Sequence, residues 1–147
     1  MDQLIQLVQL QLAEKGSASL TVTGTSMLPV LRPLEDRVLL APPEKFEKGD
    51  IILYQRDNGK FVLHRILQKK EGYVICCGDN QCEKERVENT WVLAVVTDFY
   101  KLSKKYSITT SWYQLYQWVW VNLFPVRKVL LRMVKCAYWL KNKFRGE

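Results

Sequence analysis

The run from Gly49 to Leu67 constrains the fold more than any other part of the chain. Gly49-Asp50 opens Ile51-Ile52-Leu53-Tyr54, Asp57-Asn58-Gly59-Lys60 makes a turn, and Phe61-Val62-Leu63-His64-Arg65-Ile66-Leu67 returns. Asn-Gly between two apolar runs signals a β-hairpin, because both residues accept the backbone that a tight turn requires. Further strand signals lie on both sides. Ser19 to Thr23 alternates and is β-branched until Gly24-Thr25-Ser26 breaks it, and Asp36 to Leu40 is closed by Pro42-Pro43. Glu71-Gly72 makes a second turn before Tyr73 to Cys77. After a polar loop from Gly78 to Asn89, Trp91 to Val96 is continuously apolar, as a buried strand would be. Short strands at close spacing with no helix between them predict a mainly β (α+β) fold, a small antiparallel β-barrel or sandwich.

Helices are expected at both ends. Leu4, Leu7, Val8 and Leu12 share one helical face that Gly16 would end. The Gln-rich run has no basic flank, so it reads as a docking helix and not as a secretory signal. Beyond Lys101 the pattern turns helical again. Trp112 to Phe124 is apolar nearly all round, and Pro125 breaks it. From Val126 to Phe144, Val126, Val129, Leu130, Met133, Val134 and Ala137 fall on one face, and Arg127, Lys128, Arg132, Lys135, Asn142 and Lys143 on the other. The expected division is an N-terminal amphipathic helix (1–16), a β-rich domain (17–100) and a basic, aromatic helical extension (101–147).

Charge separates these parts. The net charge is +7, yet residues 1–100 carry 12 Lys and Arg against 14 Asp and Glu, while residues 101–147 carry 10 against one. Four of the five Trp also lie in that last third. A basic, aromatic tail points to an anionic membrane surface through residues 106–147, or to nucleic acid. Tyr106 to Val126 is uncharged for 21 residues, long enough to span a bilayer, but its seven Ser, Thr, Gln and Asn and its Pro oppose burial there. Lying in the interface is the expectation, with the chain cytoplasmic or held at the inner face of the cytoplasmic membrane. The same apolar helix face would also serve to cover the β-domain.

The four cysteines show no C-x-x-C pairing, and neighbours Cys76 and Cys77 would face opposite ways on a strand. No metal, no cofactor and no disulfide framework is expected, which fits a reducing compartment.

Three features bear chemistry. In Gly24-Thr25-Ser26-Met27-Leu28-Pro29, Ser26 sits at a strand-to-turn junction where Gly24 lets a substrate backbone approach. Met27 is expected to pack inward while the Ser26 hydroxyl points out, and Pro29 stiffens the turn so that backbone N–H groups can form an oxyanion hole. His64, the one histidine, lies on the rigid return strand of the hairpin and suits a general base. Gly78-Asp79-Asn80 brings a carboxylate after another strand, followed by Glu83 and Glu85; a carboxylate can orient an imidazole and stabilise its protonated form. Each feature also has a plain structural reading: a Gly/Ser turn, a strand histidine, an Asx turn with a solvated acidic loop.

Together, and in this order, these segments resemble the signal peptidase I and LexA-like serine peptidase superfamily over about residues 18–98. Gly24-Thr25-Ser26-Met27-Leu28-Pro29 is similar to its G-x-S-M-x-P nucleophile box, and Lys48-Gly49-Asp50-Ile51-Ile52 to its K-G-D-[IV]-[IV] opening. Val62 to Ile66 occupies the general-base strand, and Gly78-Asp79-Asn80 resembles the G-D-N box. Most bacterial members carry Lys at the base position, so His64 implies the Ser-His variant of the archaeal and endoplasmic-reticulum branch. The resemblance then implies Ser26 as nucleophile, His64 as base, Asp79 as orienting or electrostatic support, and Glu85 or Glu83 as a second carboxylate. Gly24, two residues before Ser26, supplies no side-chain hydroxyl, leaving the oxyanion to backbone N–H groups around Gly24, Thr25, Ser26 and Met27. The 25 residues before Ser26 hold neither the membrane span of signal peptidases nor the DNA-binding domain of LexA-like proteins. The layout is most similar to short bacterial members of the superfamily.

The resemblance implies a serine endopeptidase that cleaves an extended leader- or signal-like peptide, with small side chains beside the cut. Two other readings stay open: an inactive peptide- or membrane-surface-binding module on the same fold, and nucleic-acid binding through the basic tail.

Overall fold

Helix α1 (Asp2–Lys15) ends at Gly16, whose φ of +68° supplies the left-handed residue that closes a helix. A computed structural model describes residues 2–143, so Met1 and Phe144, the outermost residues of two expected helices, lie outside the described residues. Helix α1 buries Ile5, Val8 and Leu12, while Leu4 and Leu7 are exposed. The expected face is thereby shifted: the spacing i, i+3, i+7 that starts at Ile5 meets the sheet, and Leu4 and Leu7 do not.

Eight strands follow among the described residues: β1 (Ala18–Thr21), β2 (Arg37–Ala41), β3 (Ile51–Gln55), β4 (Phe61–Lys69), β5 (Tyr73–Cys77), β6 (Glu85–Glu88), β7 (Val92–Lys101) and β8 (Lys104–Ser107). They form one antiparallel sheet in the order β1-β2-β7-β3-β4-β5-β6, with β8 also on β7. Bulges at Leu39/Leu40, Leu53/Tyr54 and Ile66/Gln68 bend the strands, and the sheet curls as a half-barrel. The hairpin forms as its turn requires, with Gly59 at φ +80° and Ile52 opposite His64. Strands β6 and β8 arise where the sequence reads as loop or helical extension. Each shows little apolar alternation and is held by a neighbour's open edge.

Two clusters fill the faces of the sheet. One joins α1, Met27, Leu31, Val38, Leu53 and Phe99 to Tyr113 of the C-terminal region. The other holds Ile52, Tyr54, Ile66, Cys76 and Val87. Cys77 belongs to a third, smaller cluster with Leu67 and Val121, so the two neighbouring cysteines do face different ways.

The sheet runs to Ser107, past the expected boundary at residue 100. Helix α2 (Ser111–Asn122) then packs into the body through Tyr113 and Val121. A short 3-10 turn over Phe124–Val126 contains Pro125, and α3 (Arg127–Lys143) follows. The first helix of the basic region is therefore part of the core. Arg127, expected on a solvated face, is 1% exposed because its guanidinium is drawn onto carbonyls of the body. From Arg132 to Lys143 every residue of α3 is exposed. No helix among the described residues is long and apolar enough to cross a membrane.

Candidate active site

Ser26 begins the turn that leaves β1. Its neighbour Met27 is buried in the core, while Ser26 is half-exposed. Leu28 N–H donates to Thr25 O and Leu31 N–H to Met27 O, and Asp36 closes the segment by accepting from Arg32 N–H at 2.8 Å. The Gly78–Gln81 turn grips the same segment from the other side. Asn80 N–H donates to Ser26 O at 2.8 Å and Asn80 Nδ2 to Thr25 O at 3.3 Å. A Cβ on Gly78 would stand 2.7 Å from Ser26 O and 3.0 Å from Ser26 Cβ, so only glycine lets the two turns pack this closely.

Ser26 and His64 line one cavity of about 270 Å³, with Gly24, Met27, Arg56 and Gln81. Leu4 and Ile5 of α1 line the same cavity, and Leu53, Phe61 and Leu63 add to its apolar lining. No hydrogen bond joins Ser26 to His64 among the described residues; in unliganded sites such bonds often form only with substrate.

His64 is almost fully buried, and its Nδ1 lies 2.7 Å from Glu85 Oε1. Tyr54 Oη lies 3.1 Å from the same nitrogen and donates to Glu85 Oε1. Arg56 completes the cluster with a two-pronged grip on Glu85 at 2.8 and 2.9 Å. Burial disfavours the Glu85 charge, but Arg56, Tyr54 and His64 outweigh it and hold the carboxyl below its usual range. Burial, reinforced by Glu85, raises the Tyr54 phenol, so Tyr54 keeps its proton. With Glu85 ionised and the Tyr54 proton directed at it, Nδ1 must carry the imidazole hydrogen, and Nε2 is left as an acceptor. Burial pushes the His64 pKa down and Glu85 restores part of it; Asp79 adds the smallest contribution. The imidazole is thus neutral at neutral pH.

The carboxylate that meets His64 is Glu85. Asp79, expected to orient the imidazole, instead binds Arg65 through Nε and Nη2, both at 2.8 Å, with both side chains fully buried. The reason is strand alternation: Arg65 follows His64 on β4 and so points the other way, toward the Gly78–Gln81 turn and α2. Tyr116 Oη donates to Asp79 Oδ2, Trp120 Nε1 to Asp79 O, and Arg65 Nη1 to Tyr113 Oη and Gly49 O. Gly49 has φ +99°, and the Gln117 side chain fills the space where its Cβ would stand. Glu83 is exposed on the loop before β6 and belongs to neither cluster.

Tyr54, Arg56, Arg65 and Arg127 escaped the sequence reading. Tyr54 was within reach of it: counting the hairpin register from the Asn58-Gly59 turn places Tyr54 diagonal to His64 across the β3–β4 pair. Cys76 and Cys77 are not poised as nucleophiles, since burial raises the Cys77 thiol to about 11 and the Cys76 thiol further.

A curled antiparallel sheet that sets a serine and a neutral, carboxylate-paired histidine on one cavity is the frame of a peptidase-like hydrolase. The chain belongs to the Peptidase S24-like family, whose model matches residues 2–97. The match takes in α1, the serine turn, His64, Asp79 and Glu85, and ends within β7. Neither the curated proteins nor the solved structures yielded a match.

Proposed function

We propose that the chain is a serine endopeptidase that cuts an extended leader- or signal-like peptide, with Ser26 as nucleophile and His64 as base. The observation that carries this reading is the 2.7 Å contact of His64 Nδ1 with Glu85, on a histidine that shares its cavity with Ser26. Ser26 Oγ attacks the scissile carbonyl as His64 Nε2 takes its proton; Glu85 stabilises the imidazolium. Backbone N–H groups of the serine turn, that of Ser26 among them, receive the oxyanion. The amine leaves with the proton from Nε2, and water activated by the same nitrogen hydrolyses the acyl-enzyme. On this reading the chain is of the Ser-His branch, with Glu85 as its orienting carboxylate and Asp79 as a positioning residue that acts through Arg65.

Strand pairing supports an extended substrate. Among the described residues β1 pairs only with β2, and β5 pairs with β4 only from Arg65 onward, so Phe61 to His64 keeps an open backbone edge there. Both edges border the cavity, and open edges bind extended peptides through main-chain hydrogen bonds. The test is titration of the full chain with a serine-directed acylating probe beside Ser26→Ala and His64→Ala. Labelling at Ser26 that falls away without His64 supports the dyad. An unlabelled wild type moves the reading to a binding module on a peptidase fold.

A further inference from the structure

Helix α3 leaves the body after Leu131, and its exposed part is two-sided. Helical geometry at 3.6 residues per turn puts Val129, Met133, Val134, Ala137 and Leu140 on one arc. Met133 is 62% exposed and the other large members of that arc between 41% and 55%, so nothing among the described residues covers them. Lys128, Arg132, Lys135 and Lys143 occupy the opposite arc. Helix α2 adds exposed Trp112, Leu115 and Trp118. From Phe99 to Lys143 the sequence has nine Lys and Arg and no Asp or Glu.

We infer that α3 docks on an anionic lipid surface, lying in the headgroup plane with its Met133–Leu140 arc in the acyl boundary. Charge selects this occupant. A second copy of the chain would bring two acid-free cationic helices together, and like charges oppose that pairing. A nucleic acid would satisfy the cations but leave the apolar arc in water. An anionic bilayer answers both arcs at once, with acyl chains for one and headgroup phosphates for the other. Lys141, near the end of the apolar arc, can lay its stem along the boundary and keep its ammonium among headgroups.

The test is flotation of the full chain with vesicles of phosphatidylglycerol and phosphatidylcholine, beside vesicles of phosphatidylcholine alone. The wild type should float with the anionic vesicles and be released by salt. Met133→Glu with Leu140→Glu should weaken this at least about tenfold, and Arg132→Gln with Lys135→Gln about thirtyfold. These positions are exposed, so circular dichroism and serine labelling should match the wild type. The inference is overturned if the double Glu variant floats as well as the wild type. It is equally overturned if the chain ignores both vesicles, whether the apolar arc then proves to hold a dimer or the cations to bind single-stranded DNA.

Discussion

Glu85 Oε1 meets His64 Nδ1 at 2.7 Å, although β5 lies between the strands that carry them. The contact is made where the β4–β5 pairing ends: β5 stops pairing with β4 at Arg65, and Glu85 is the first residue of β6. A carboxylate so placed fixes the tautomer of the imidazole. Glu85→Gln, which presents an amide in place of the anion, should slow acylation of Ser26 by about 10²–10⁴-fold in protein that is still folded by circular dichroism. Stopped-flow labelling with a serine-directed probe measures it; a rate within twofold of wild type would falsify the orienting role.

The direction of the His64 shift sets the pH profile. Burial lowers this pKa, so the neutral, reactive imidazole predominates from below the usual value of about 6.5 upward. Acylation should therefore rise with pH through an acid limb and be level by neutrality. Removing the anion in Glu85→Gln takes away the main influence that raises the His64 pKa, so the limb should move to lower pH. A limb that moves upward would contradict the assignment.

The same two groups link stability to pH. Both folded-state values lie below the unfolded ones, so their contributions are complete above the unfolded values and are lost as pH falls through the folded ones. Chemical denaturation of the wild type should show stability declining below about pH 6.5, first through His64 and then through Glu85. In Glu85→Gln the carboxylate part of that decline should be missing.

Asp79→Ala separates structure from chemistry. It would strand the fully buried Arg65 guanidinium without its carboxylate, at a cost of about 3–5 kcal/mol. A urea midpoint that does not move would show that Asp79 has little part in holding the fold.

Gly78→Ala tests the grip between the two turns. The added methyl meets Ser26 O, a backbone atom, at 2.7 Å, so the serine turn must shift. A displacement near 1 Å lowers a positioned reaction by about a hundredfold. Labelling of Ser26 should fall on that scale with a smaller effect on the melting temperature. Equal loss of both would point to general unfolding.

The sheet and the serine turn were legible because their signals are local: the Asn58-Gly59 turn, the alternating runs, and Met27 beside Ser26. His64 came with the hairpin. Glu85 was harder, since Glu85-Arg86-Val87-Glu88 contains one apolar residue and becomes a strand only because β5 offers an edge. The Arg65–Asp79 pair was not legible, because nothing in either segment says that β4 turns His64 toward Glu85 and Arg65 toward Asp79. Arg127 reads as one more cation on an amphipathic helix; its burial follows from the 3-10 turn at Pro125, which sets its direction.

Helix α2 covers Asp79 with Tyr116, 37 residues further along the chain. The ribosome delivers these parts from the N-terminus onward. A nascent chain that has reached Lys105 already holds Ser26, His64 and Glu85, yet the ion pair behind the serine turn still lacks its aromatic cover. A chain halted at that point lacks this support and should leave a serine-directed probe unreacted.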